Sequence, residues 1–195
     1  MDTNQYTINT SFLDFAASLA NLEEDAKAAL TFRLYKKQYD KGELILEKGT
    51  VCNRIYFVDS GLLKTFFYTE TREFIMRFFP EGNMFTVLDS FLTRQPSSYS
   101  ILSLEATTLT CLNHDDLEAL CARYHSVETF FRKLVSLAAV NMMDRISSTL
   151  EEKAQGAYQN FLKEHGRLLQ RISLADLAAY LGITQVSLSR IRGIK

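Results

Sequence analysis

The 195-residue sequence is short of the residues from which most cofactor and catalytic centres are built. It has three cysteines, Cys52, Cys111 and Cys121, and three histidines, His114, His125 and His165. Three dispersed thiols cannot ligate an iron–sulfur cluster, which takes four, and they lack the paired spacing of a zinc site. They read as reduced and mostly buried. No apolar run approaches the roughly 20 residues that span a bilayer. The polar start, with Asp2 ahead of Phe12, lacks the basic-then-apolar layout of a signal peptide, so no membrane partner and a cytoplasmic location are expected. There is no glycine-rich phosphate loop and no nucleophile–base constellation, so no residue stands out as catalytic and the chain reads as a non-enzyme.

What is present is ample apolar material and a concealed charge asymmetry. Hydrophobic residues make up 47% of the chain, enough for one large or two small ordinary cores. The formal net charge is −1. Residues 153–195, however, carry seven basic against two acidic side chains, net +5, while the remainder is net −6. A basic end on an acidic body fits a phosphate-binding module carried by a separate domain; a solvated charged surface is the plainer reading.

Periodicity divides the chain. Phe12, Phe15, Ala16, Leu19 and Leu22, then Ala26, Ala29 and Leu30, predict helix from Phe12 to about Leu34, a packing lid. From Tyr39 the pattern changes to short strands: Glu43–Glu47, Arg54–Ser60, Leu62–Tyr68, Glu73–Phe79, Met84–Leu88, Ser98–Leu104 and Leu109–Asn113. Lys41-Gly42, Lys48-Gly49, Ser60-Gly61, Glu81-Gly82 and Gln95-Pro96 punctuate them. About seven strands so spaced indicate a β-barrel or jelly roll. All three histidines follow the strands, which leaves no ligand for a haem or a cupin-type metal on the barrel. Beyond it the pattern is helical. A short helix covers Asp115–Tyr124, with Asp115, Asp116 and Glu118 near its positive end. A long one runs from about Val127 to Glu151, with Phe131, Leu134, Ala138, Met142 and Arg145 on one face and Phe130, Leu137 and Asn141 beside it. A further helix, about Lys153–His165, ends at Gly166.

The stretch Ile172–Arg192 reads as a helix-turn-helix. Ser173 can cap a first helix whose Leu174, Leu177, Ala178 and Leu181 form an apolar stripe. Gly182 supplies the positive φ of a sharp turn, Ile183 plugs the angle, and Thr184 can cap a second helix packed through Leu188 and Ile191. Gln185, Ser189 and Arg192 then share an exposed face with Arg190 beside them, side-chain types that bond base edges and phosphates. The plainer alternative is a helical hairpin packed on its own domain.

The turns Tyr39-Asp40-Lys41-Gly42-Glu43, Glu47-Lys48-Gly49 and Ile55-Tyr56-Phe57-Val58-Asp59-Ser60-Gly61-Leu62, and the approach Phe79-Pro80-Glu81-Gly82, resemble the cyclic nucleotide-binding barrel of the bacterial Crp/Fnr transcription regulators. With the helix-turn-helix in the right order, the resemblance covers nearly the whole chain. It implies an α+β fold: a sensor domain over 1–125, a dimerisation helix over 126–151, and a DNA-binding domain over 152–195 that ends at Lys195 without a full wing. It also implies double-stranded DNA with a palindromic operator, a second copy of the chain, and RNA polymerase as partners. Asn141 would help set the dimer register.

Nucleotide-binding members carry a Gly-Glu pair for the ribose and an Arg-Ser-Ala for the cyclic phosphate. Here Thr86-Val87 and Ser97-Ser98-Tyr99 stand in those places. With Val87 and Ser97 where the charged groups belong, the resemblance argues against cyclic nucleotide as the cofactor. A pocket lined by Phe85, Thr86, Ser97, Ser98 and Tyr99 is expected to be empty or to take another small molecule; Arg94 reads as an exposed loop residue. His114 reads as a surface or capping residue. At the DNA end, Thr184, Ser187 and Arg190 match or stand in for the family's capping, phosphate and base contacts. Gln185 and Val186 replace charged base readers, which implies an operator of different sequence. Ser189 and Arg192 complete the set. Lys153, Lys163, Arg167, Arg171 and Lys195 are the candidates for DNA-backbone contacts. The competing function is a ligand-binding or protein-interaction module with a non-functional helix-turn-helix.

Overall fold

A computed structural model describes residues 11–151 and 154–193. Two short helices, α1 (Phe12–Leu19) and α2 (Glu24–Arg33), precede eight strands: β1 (Tyr35–Tyr39), β2 (Leu44–Leu46), β3 (Arg54–Ser60), β4 (Leu63–Tyr68), β5 (Glu73–Phe79), β6 (Met84–Phe85), β7 (Ser100–Ser103) and β8 (Thr107–Asn113). Helix α3 (Leu88–Thr93) interrupts the strands. Helices α4 (His114–Arg123), α5 (His125–Glu151), α6 (Ala154–His165), α7 (Leu174–Leu181) and α8 (Gln185–Gly193) follow, with a 3₁₀ turn at Gly166–Gln170.

The strands form a sandwich of two four-stranded sheets rather than one closed barrel, in the orders β1-β8-β3-β6 and β2-β7-β4-β5. Tyr56, Leu63, Phe79, Phe85, Ile101, Leu109 and Cys111 belong to its buried core. Phe57 on the next residue of β3 points the other way, where Phe12 and Phe15 of α1 meet it edge-on at 6.4 and 6.3 Å, and Phe12 in turn meets Phe130 of α5 at 6.1 Å. A second core lies on the opposite sheet. There Leu62, Phe66, Ile75 and Phe78 cluster with Tyr158, Phe161, Leu168, Leu177 and Leu188 from the C-terminal helices.

Three sequence expectations change. The N-terminal helix is two: Ala20 is extended (φ −144°), and α5 fixes the break, with Ser126 bonded to Glu23 and Lys133 Nζ donating to the Leu19 carbonyl at 2.7 Å. The acidic start Glu24-Asp25 then suits the positive end of α2. β1 is an additional edge strand whose Lys36 and Gln38 face outward, a polar alternation that hid it; it pairs antiparallel with β8. Finally, the predicted Met84–Leu88 strand stops at Phe85 and gives way to α3, which Arg94 closes in the left-handed region at φ 58°. Its guanidinium bonds Asn53 and the carbonyls of Cys52 (3.1 Å) and Phe91 (3.3 Å), so Arg94 is a structural clasp rather than a free loop residue.

Helix α5 changes character along its length. Val127, Phe130, Phe131 and Leu134 are buried within the chain. From the next turn onward Leu137, Val140, Met142, Met143 and Ile146 are 42–68% exposed. Arg145, expected on the same face as Phe131, turns instead to Tyr180, with its guanidinium carbon 3.9 Å from the ring centroid.

Candidate functional site

The last two helices hold the geometry that their capping residues dictate. Ser173 Oγ accepts from the Asp176 amide at 3.0 Å while the Ser173 amide donates to Asp176 Oδ2 at 3.3 Å, a reciprocal capping box. Gly182 ends α7 at φ +69°, where a side chain would be strained. Thr184 Oγ1 accepts from the Ser187 amide at 3.1 Å, and α8 seats itself through Leu188, 1% exposed.

Of the proposed DNA-contacting residues, Thr184, Gln185, Val186, Ser189, Arg190 and Arg192 are exposed. Gln185, Ser189 and Arg192 line one shallow groove with Leu174 and Leu188. Ser187 is half-buried and shares a hydrogen bond with Thr184 Oγ1 at 3.0 Å, so its hydroxyl serves the cap. Leu174, expected in the packed stripe, is 51% exposed because it begins α7 at the rim of this groove.

The helical pair is fastened to the second sheet by charges far away in sequence. Lys64 Nζ on β4, with its side chain 8% exposed, lies 2.6 Å from Glu73 and 2.8 Å from Asp176, the capping residue of α7. Arg72 donates to the Gly182 carbonyl at 3.0 Å. Arg171 grips Glu81 and Glu105 through four hydrogen bonds of 2.6–2.9 Å, and this removes it from the expected set of DNA-backbone contacts. Lys163 and Arg167 remain exposed; Lys153 and Lys195 lie outside the described residues.

These contacts give the docking an acid sensitivity. Burial would raise the Asp176 carboxyl, but bonds from Lys64 and Ser173 outweigh it and hold the group below its ordinary 3.8. The Arg171 bond holds Glu81 below its ordinary 4.5. Carboxyls depressed in the folded state stabilise it fully above their ordinary values and lose that effect as pH falls through the depressed ones. An acid titration followed by near-ultraviolet circular dichroism, reporting Tyr180 against Phe78, should therefore show loosening below about pH 4.5. Asp176→Asn combined with Glu81→Gln should flatten that dependence; an unaltered acid transition in the double variant would contradict the assignment.

At the sandwich site the residues expected to line a pocket are largely engaged with one another. The ring of Phe85 stacks between those of Tyr56 (5.4 Å) and Phe79 (4.0 Å). Thr86 Oγ1 donates to the Arg54 carbonyl at 2.8 Å. Ser97, 2% exposed, donates to the Tyr99 carbonyl and accepts from its amide. Val87 is 5% exposed. Ser98 is exposed, and Tyr99 meets Phe67 edge-on at 5.8 Å. No carboxylate or guanidinium comes from these positions. The residue that sequence reasoning passed over is Arg54, the first of β3, whose Nε donates to Tyr35 Oη at 2.7 Å. Nothing in its local sequence distinguished it from a surface arginine. Burial pushes the Cys111 thiol up to about 11 and the Cys121 thiol up to about 12. His114 is half-buried at the start of α4, with Nδ1 3.0 Å from Asp115.

Residues 36–124 match the family described as the cyclic nucleotide-binding domain. Among solved structures, a transcriptional regulator assigned to the Crp/Fnr family from Eubacterium rectale is 17% identical over 88% of this chain and 82% of its own, with a TM-score of 0.72. FixK2 from Bradyrhizobium japonicum is 18% identical over 82% of each chain, also at 0.72. The chain has the fold of the Crp/Fnr regulators. CLP of Xanthomonas campestris, described as responsive to c-di-GMP, is 14% identical over 87% of this chain and 89% of its own, at 0.66. No curated protein matches by sequence. At these identities the Crp/Fnr likeness fixes the architecture: sandwich, long helix, then terminal helices. Among the described residues no helix is long and apolar enough to cross a membrane, and no cluster of three or more potential metal ligands occurs.

Proposed function

We propose that the chain is a dimeric, sequence-specific DNA-binding regulator of the Crp/Fnr type, with a sandwich that senses a small molecule other than a cyclic nucleotide. The observation that carries the reading is the terminal helical pair. Its caps, glycine turn and Leu188 anchor are satisfied internally, while Gln185, Val186, Ser189, Arg190 and Arg192 of α8 are left exposed and committed to nothing within the described chain. Glutamine and arginine there are suited to adenine and guanine edges.

The exposed run on α5 supports the dimer. Leu137, Val140, Met142, Met143 and Ile146 leave exposed apolar side chains on a helix already anchored at its other end, and a second copy would cover them around a two-fold axis. Two recognition helices then read a palindrome with half-sites about one helical turn apart. The division into a sensor over 1–125, a dimer helix over 126–151 and a DNA-binding domain over 152–195 belongs to the same proposal.

Arg190→Ala tests it. With an operator fragment in fluorescence anisotropy, the substitution should cost about 1–3 kcal/mol and relax one base position. Unchanged affinity and unchanged base preference would remove Arg190 from the interface.

A further inference from the structure

We propose that Arg54, oriented by Tyr35 and joined by the phenol of Tyr56, is the anion-holding group of the sandwich, and that the sensed molecule is a small carboxylate or phosphate. This rests on the reading of the sandwich as a sensor and names its site and ligand class.

The argument starts from charge. Arg33, Arg171, Lys27, Lys36 and Lys64 each have a carboxylate oxygen within 4.0 Å. Arg54 is partly buried and, among the described residues, has none. Its Nε donates to the neutral Tyr35 Oη, and Tyr35 in turn donates to Asn113 Oδ1 at 2.7 Å. A cation drawn from water without a counter-charge is unfavourable unless a ligand completes it.

The second observation is independent. Tyr56 lies two residues along β3, on the same face as Arg54. It is 0% exposed, and among the described residues its hydroxyl is the one buried side-chain polar atom without a hydrogen-bond partner. Burial pushes this phenol well above its ordinary value, so it keeps its proton for donation. The phenol lies close enough to the Arg54 guanidinium for each to act on the other, yet neither finds a charged acceptor among the described residues, and an oxyanion accepts from both.

Position agrees with this. Thr86, at the turn where the resemblance places a ligand, bonds the Arg54 carbonyl, and Cys52 Sγ lies 3.3 Å from Thr86 Oγ1. Ser97 stands where the family carries its arginine, and Arg54 begins the strand whose backbone meets the Thr86 turn. Arg54 is only partly buried, so its side chain keeps contact with solvent at the end of β3.

The test is thermal unfolding of the full chain, without DNA, in rising sodium phosphate or sodium succinate at constant ionic strength, with chloride as reference. At least one probe should raise the midpoint with an apparent Kd in the millimolar range (about 1 mM), and the two arms separate phosphate from carboxylate. Arg54→Gln should weaken that binding at least about tenfold, whereas Arg54→Lys, which keeps charge without the fork, should fall between. Tyr56→Phe removes only the unpartnered hydroxyl. It should unfold at the same or a higher temperature without anion, yet gain less from it, so the proposal stays testable if Arg54→Gln does not fold. Equal stabilisation of wild type, Arg54→Gln and Tyr56→Phe, or none by either probe, would overturn the site. A chain that binds the anion but never DNA would overturn the regulator reading and leave the site standing.

Discussion

Gly61→Ala is expected to destabilise the protein by about 2–6 kcal/mol, a large share of the roughly 5–15 kcal/mol available to an ordinary domain. Two effects add. Gly61 sits at φ +99° between β3 and β4, and a Cβ there would lie 2.3 Å from Thr107 Oγ1 and 2.8 Å from the Ala106 carbonyl oxygen. Part of that obstruction is backbone and cannot swing aside. Gly42 (φ +84°) and Gly49 (φ +90°) have similar dihedrals with nothing within 4 Å of an added Cβ. Gly49→Ala should therefore cost only the strain, about 1–3 kcal/mol. Urea denaturation of the two variants separates strain from collision; equal losses at the two positions would contradict the close approach of β8 to this turn.

Ile146→Asp, alone or with Met143→Asp, is expected to convert the proposed dimer into a monomer and to weaken binding to a full palindromic site by about 10²–10⁴-fold, since the second half-site contact is then no longer intramolecular. Met143 and Ile146 are 68% and 53% exposed, so neither substitution disturbs packing within the chain. The unfolding midpoint of the monomer's own core should stay close to wild type at high dilution. Sedimentation velocity reads the mass directly. A wild type that sediments as a monomer at micromolar concentration, or an Ile146→Asp protein that stays dimeric, would contradict the assignment of α5 as the dimer seam.

What was legible in the sequence was what neighbouring residues decide between themselves. Ser173 and Asp176, Gly182, and Thr184 and Ser187 are all within three residues of their partners or act alone, so the caps and the turn of the terminal helices could be written down from spacing. The strands bounded by glycine turns were similarly readable. What was hidden depends on partners brought together only by the fold. Lys64 and Asp176 are 112 residues apart, and Arg171 meets Glu81 and Glu105 across 90 and 66. Arg171 therefore looked like a phosphate contact when it is a docking residue. The break after α1 depends on Ser126 and Lys133 of α5, and β1 escaped because its inward Tyr35, Lys37 and Tyr39 do not read as an apolar face. Arg54 is the same kind of case. Its significance lies in the lack of a carboxylate and in the orphan hydroxyl of Tyr56, both properties of an assembled sandwich.

The docking adds a physical constraint to the regulator reading. The terminal helices are joined to the second sheet through the Phe78, Phe161 and Tyr180 rings as well as through Lys64, Arg72 and Arg171. A shift in β4 or β5 therefore has a direct path to α7, in addition to the path along α5.

The central claim is that α8 reads DNA as half of a dimer. Repeated selection of bound sequences from random duplex DNA by the full chain, followed by sequencing of the retained pool, tests it most directly. The account predicts enrichment of a palindrome whose half-sites lie about one helical turn, roughly 10 base pairs, apart, with the preference altered at specific positions by Gln185→Ala and Arg190→Ala. A retained pool without an enriched sequence, or an enriched sequence unchanged by both substitutions, would contradict it.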